Sequence, residues 1–154
     1  MPAYITKSKG TVYGTAQWIL DKYLPATYFD VAPHPWMPDK WNGLTMDWKA
    51  PNEAISVNFC NPPFQDLARH WADKIKKESL MGKKICLLMP ARTSSKYTRE
   101  KLLPYCQHIV FLPKVKFIDY EDQCETKAVC PAAIVLMYFN YKPELTNLNC
   151  TVSL

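Results

Sequence analysis

Ala54-Ile55-Ser56-Val57-Asn58-Phe59-Cys60-Asn61-Pro62-Pro63-Phe64 is the stretch on which the fold turns. Its apolar, β-branched first part reads as a buried strand, and two prolines without N–H groups stop it. From Gln65 to Lys77, residues Leu67, Ala68, Trp71, Ala72 and Ile75 recur at helical spacing. Asn61 to Phe64 are therefore predicted in a strand-to-helix turn, at the carboxyl end of a strand. Open α/β sheets hold their ligands there. The same residues also fit an ordinary helix start, with Asn61 as N-cap and a proline in the first turn.

Working outward, Tyr28 to Ala32 reads as a short strand ending at the acid Asp30. A loop rich in proline and tryptophan follows, from Pro33 to Pro51. Before it, Thr15 is placed to cap a short helix carrying Trp18, Ile19, Leu20 and Tyr23, which Pro25 ends. Beyond the corner, Lys84 to Met89 is a buried strand closed by Pro90, Thr98 to Cys106 a helix, and His108 to Leu112 another strand. Lys116 to Ile118 and Ala132 to Phe139 flank an acidic loop with Asp119, Glu121, Asp122 and Glu125, and read as a closing antiparallel pair.

This succession predicts an α/β fold, the second half of a methyltransferase-like doubly wound sheet. Roughly 28 residues separate Ala32 from Asn61, room for one crossover but not two, so the Rossmann-like sheet is abbreviated to about five or six strands. It is expected to be mostly parallel with an antiparallel C-terminal strand. Residues 1–13 read as a polar arm, 14–140 as the domain, and 141–154 as a polar, loosely held tail.

Composition bounds the possibilities. The chain has 154 residues, one domain's worth, with 48% hydrophobic and 21% charged residues, which sets aside a disordered protein. Only 4 glycines stand against 13 prolines, so the loops are stiff. A net charge of +5 permits a nucleic-acid partner without demanding one. The 6 cysteines show no C-x-x-C pair and no zinc spacing, so no metal is expected. All read as free thiols in a reducing compartment, with Cys124 and Cys130 the one pair to check. No apolar stretch has signal-peptide or membrane-span length, and the expected location is the cytoplasm.

The corner suits the methylation of an exocyclic amine. An aromatic NH2 is a poor nucleophile because its lone pair is delocalised into the ring. The Asn61 side-chain oxygen and the Pro62 carbonyl could accept its two hydrogens and favour a pyramidal nitrogen aimed at a methyl donor. Pro62 and Pro63 make the turn rigid before substrate arrives, and Phe64 offers a face for a planar base.

With these landmarks in order, the chain resembles the phage-type DNA N6-adenine methyltransferases. The likeness runs from Tyr13 to Phe139 through Thr15-Ala16-Gln17-Trp18, Phe29-Asp30-Val31-Ala32, Cys60-Asn61-Pro62-Pro63-Phe64, Leu88-Met89-Pro90-Ala91-Arg92-Thr93, Val115-Lys116-Phe117 and Cys130-Pro131-Ala132-Ala133. The resemblance implies S-adenosylmethionine as methyl donor and adenine N6 in DNA as acceptor. It implies catalytic roles for Asn61, Pro62, Pro63 and Phe64, and cofactor contacts from Thr15, Ala16, Asp30, Ala32, Asp47 and Asn61. Asp30 would face the donor's ammonium, Asp47 its ribose, and Trp48 or Trp36 its adenine. Phe64, Arg92 and Lys116 would contact the DNA.

Two departures stand out: Ala32-Pro33-His34-Pro35 replaces the glycine-rich loop that usually follows the first strand, and Ala16 stands where proline is expected. His34, His70 and His108 are isolated, and Lys74, Lys76, Lys77, Lys83 and Lys84 read as solvated surface. No insert is large enough for a target-recognition domain. Specificity is then slight, or comes from a second subunit or the N-terminal arm. A duplexed adenine has to be flipped out, so single-stranded or transiently open DNA is the expected substrate. Adenine in RNA and glutamine in protein present the same NH2 and remain alternatives. So does an inactive relative that binds nucleic acid or inhibits another protein.

Overall fold

The structure, a computed structural model, describes residues 13–34, 39–119, 124–125, 129–144 and 151–154. Strand β1 (Tyr13–Gly14) leads into helix α1 (Gln17–Tyr23), followed by β2 (Phe29–Asp30) and β3 (Val57–Cys60). After the Asn61 corner come a 3-10 turn (Phe64–Asp66), a π-helical turn (Leu67–Trp71) and helix α2 (Ala72–Leu80). Next are β4 (Lys84–Pro90), a second π-helical turn (Thr98–Leu102) and β5 (His108–Phe111). The chain closes through β6 (Ile118–Asp119), β7 (Cys124–Glu125), β8 (Ile134–Phe139) and β9 (Thr151–Ser153).

Among the described residues the main sheet has six strands in the order β2-β3-β4-β8-β5-β9. β2, β3 and β4 are parallel; β8 runs antiparallel to both β4 and β5, and β9 antiparallel to β5. Four strands thus share one direction and two reverse it, against the single reversal anticipated. The additional reversed strand is β9: the tail expected to be loose returns as an edge strand, with Thr151 opposite Val110 and Ser153 opposite His108.

The strands are long apolar runs because both faces of the sheet are covered. Along β4, Ile85, Leu87 and Met89 join Trp71, Ala72 and Ile75 in one core, while Cys86 and Leu88 join Ile19 and Tyr23 in the other. The period of two therefore splits one strand between a helix on each face. Pro90 does not close β4 from outside but is its last residue, opposite Ile134, a strand end where a missing donor is tolerated. Ala68, counted with the apolar face, is exposed, because the wider π turn rotates it outward.

The anticipated pairing of Lys116–Ile118 with Ala132–Phe139 does not form. β6 instead joins β1 and β7 in a separate three-stranded sheet, and β8 enters the main sheet, where its buried apolar run is covered on both faces. Lys74 and Lys83 are not plain surface either. Both pair with the buried carboxylate of Glu78, at 2.7 and 2.5 Å. These partners hold the Glu78 pKa below the usual carboxylate value despite its burial, which acts the other way. Among the described residues no helix is long and apolar enough to cross a membrane, and no cluster of side chains could hold a metal. Cys60, Cys86, Cys106 and Cys130 are free thiols whose pKa values burial raises, which makes them inert; Cys150 lies outside the described residues.

Candidate active site at the Asn61 corner

β3 ends at Cys60, and Asn61, Pro62 and Pro63 are buried without regular structure before the first helical turn begins at Phe64. The residue preceding that turn is Pro63, and no side chain caps it. Asn61 is therefore no N-cap. Its side-chain Nδ2 donates to Thr15 Oγ1 at 2.9 Å. Its main-chain carbonyl accepts from His34 Nε2 at 3.0 Å, which fixes the proton of that ring nitrogen on Nε2. Among the described residues no donor reaches Asn61 Oδ1, and that oxygen keeps part of the residue's small exposed surface of 3%.

Thr15 is placed differently from the cap expected of it. The α1 cap is Ala16, with no side-chain hydrogen bond, because the Thr15 hydroxyl is turned across to Asn61. Ala16 itself is 1% exposed, and its carbonyl accepts from Ile19 N.

Asp30 ends β2 opposite Phe59, and Val31 N bonds the Phe59 carbonyl to carry the pairing one residue further. The Asp30 carboxylate accepts from Ala32 N at 3.0 Å. Burial pushes its pKa up to about 6, the Ala32 N–H opposing. Among the described residues no cation pairs with it. From Ala32 the chain passes through Pro33 to His34 and so to Asn61. Hydrogen bonds and short chain links thus bring Thr15, Ala16, Asp30, Ala32 and Asn61 together.

Asp47 is exposed, and no described contact joins it to that group. Its neighbours point to the other end of the sheet: Lys49 exchanges hydrogen bonds with the Asn58 side chain, which also bonds Lys84 O at the start of β4. Trp48 is 3% exposed in the core and donates to Gly43 O at 2.8 Å, so its ring is committed to packing; Trp36 lies outside the described residues. Phe64 is half-buried and meets the Phe117 ring edge-on at 6.0 Å. Arg92 is exposed just past β4, its carbonyl capped by Ser95, and Lys116 is half-buried between Val115 and Phe117. Neither cation makes an ion pair among the described residues.

A family profile described as DNA N-6-adenine-methyltransferase (Dam) matches residues 4–154. The chain belongs to the Dam family. No match to a curated protein or to a solved structure was found.

Two features of this Dam-family site escaped the sequence reading. His34, judged isolated, is the group that holds the Asn61 carbonyl. Its signal was its position four residues after the strand-end acid. Gly43 supplies the close approach that the glycine-free loop lacks. A Cβ there would lie 1.9 Å from the Val31 carbonyl oxygen and 3.2 Å from the Trp71 ring, so only glycine fits against the backbone after β2. Its signal was scarcity, as one of 4 glycines in the chain.

Proposed function

We propose that this Dam-family chain transfers the methyl group of S-adenosylmethionine to N6 of adenine in DNA at the Asn61-Pro62-Pro63-Phe64 corner. The observation that carries the reading is the state of the Asn61 amide. Its nitrogen is taken by Thr15 while its oxygen is left without a donor, at the carboxyl end of a parallel strand. An acceptor that no protein group has taken, and that solvent still reaches, is free to receive a ligand's N–H.

S-adenosylmethionine, when bound, supplies a sulfonium-activated methyl group. Asp30 fits the donor's ammonium: its carboxylate is buried with a raised pKa and has only a main-chain N–H as partner, the environment a cation would relieve. Asn61 Oδ1 and the Pro62 carbonyl accept the two N–H bonds of the adenine amino group and turn its lone pair toward the methyl carbon. On transfer the N–C bond would form as the donor's S–CH3 bond breaks, the electron pair returning to sulfur to leave a neutral thioether. The amine proton would pass to solvent, so no titratable base is required. The Phe64 ring stacks on the base.

DNA is favoured over RNA or a protein glutamine by the family. The cations at the carboxyl edge of the sheet add support. Asp30 ends β2 at the edge of the sheet, Asn61 follows β3, Arg92 follows β4 in the middle, and Lys116 comes after β5. The acid thus lies on one side of Asn61 and the cations on the other. That separation suits a cationic cofactor on one side and phosphates on the other. A flipped base costs a few kcal/mol of unstacking, so single-stranded DNA is the better substrate.

The test is transfer of labelled methyl to single-stranded and duplex DNA, with RNA and a glutamine peptide as competitors. Asn61→Ala is expected to lower kcat about a hundredfold or more. Unchanged transfer by Asn61→Ala removes the assigned role. Preferred transfer to RNA or peptide reassigns the acceptor.

A further inference from the structure

We infer that Thr15 is a positioning residue for methyl transfer, its hydroxyl holding the Asn61 amide nitrogen and so leaving the amide oxygen to face the substrate. The inference rests on the function proposed above and adds a role that a cofactor contact would not have. A primary amide is nearly symmetric in shape, but its two ends are chemically opposite. With oxygen outward it accepts from an adenine NH2; rotated by half a turn, it presents NH2 to NH2, and neither group can accept. Rigid prolines fix the backbone of the corner but not the side chain. A hydroxyl can accept from an amide nitrogen or donate to an amide oxygen, and in the structure that of Thr15 accepts from the nitrogen.

The structure places Thr15 Oγ1 2.9 Å from Asn61 Nδ2. Thr15 is held in place from both sides, by Gly14 paired with Ile118 in β1 and by Ala16 buried at the start of α1. Its hydroxyl stands beside a helix N-terminus, where threonine commonly caps, and is used on Asn61 instead. At the other end of the same residue, His34 Nε2 fixes the carbonyl at 3.0 Å. Asn61 is thus gripped at its main-chain carbonyl and at its amide nitrogen, and the remaining polar atom of its side chain is the oxygen that chemistry needs.

The experiment compares the full-length wild type with Thr15→Val, which keeps the shape and removes the hydroxyl, and with Thr15→Ser, which keeps the hydroxyl. A single-stranded adenine-containing oligonucleotide and labelled S-adenosylmethionine are the substrates. Thr15→Val is expected to lower kcat about tenfold to a hundredfold. Both KM values should stay within about threefold, and Thr15→Ser should restore kcat to within the same factor of wild type. Wild-type kcat in Thr15→Val overturns the inference. So do equal losses in both variants, or a loss confined to the KM of S-adenosylmethionine, which would make Thr15 a cofactor contact only. If the wild type itself transfers no methyl to DNA, the functional reading fails while the contact is still judged by NMR. The Asn61 side-chain NH2 signal, assigned by its disappearance in Asn61→Ala, should move in Thr15→Val and stay in place in Thr15→Ser. An unmoved signal in Thr15→Val overturns the inference on that route too.

Discussion

Asp30 has a pKa raised to about 6 by burial, against an ordinary value near 3.8. Between roughly pH 4 and pH 6 the folded protein therefore holds a proton that the unfolded chain releases, so stability falls as pH rises through that window. Above it the loss is complete, on the order of 1–3 kcal/mol. Asp30→Asn keeps the acceptor for Ala32 N and carries no charge. It is expected to melt higher than wild type at pH 7.5, with the gap closing by pH 4, and to bind S-adenosylmethionine about tenfold or more weakly. Melting curves at the two pH values and calorimetry read both effects. A variant that gains no stability at neutral pH, or binds cofactor normally, counts against the assigned role. In the wild type, cofactor affinity should weaken as pH drops below 6. Asp30 was legible in the sequence because a strand-end acid is a local pattern. The Thr15 contact was not: the local pattern at residue 15 is a helix cap, and the partner that overrides it lies 46 positions along the chain.

At the scale of elements, the loop after β2 does without glycine because Gly43 comes to it from the following segment. Gly43→Ala forces the Val31 carbonyl or the Gly43 backbone to move by more than an ångström. It is expected to cost about 2–4 kcal/mol and to weaken cofactor binding by displacing Asp30 and Ala32. Gly82, at φ 80 with nothing within 4 Å, serves as control. Gly82→Ala should cost about 1 kcal/mol through backbone strain and leave cofactor binding alone. Denaturant melts with calorimetry on both variants separate the two cases. β4 and β8 were readable because a strand buried on both faces is a nearly continuous apolar run, and β3 because only Asn58 interrupts one. The partner of β6 was not, since two residues at Ile118–Asp119 carry no pattern that distinguishes β8 from β1. β9 was missed for the same reason, as Thr151-Val152-Ser153 is too short to show alternation.

Across the whole molecule the carboxyl edge of the sheet is electrically uneven, with Asp30 at one end, Arg92 past the middle strand β4 and Lys116 after β5. If those cations hold phosphates, Arg92→Ala and Lys116→Ala should each raise the KM for DNA, leave kcat near wild type and reduce the salt slope of binding by about one. Titration of labelled oligonucleotide at several salt concentrations measures this. An unchanged slope means the charge is surface only. The spacing between Ala32 and Asn61 showed that only one crossover fits there, because parallel strands need a minimum crossover length, and β2 and β3 are indeed neighbours. The count of six strands matches only because β9 takes the place that β6 leaves. The helix lysines were misread because charge alone does not reveal the buried Glu78 that draws Lys74 and Lys83 inward.

Asn61 is held by residues 27 and 46 positions before it. A chain leaving the ribosome contains the complete tetrapeptide long before the sheet that supports it has been synthesised. The contacts to Thr15 and His34 form only when those early segments have docked. On the proposed assignment, half-made or partly melted copies would be chemically silent toward DNA, and methyl transfer would double as a readout of native assembly.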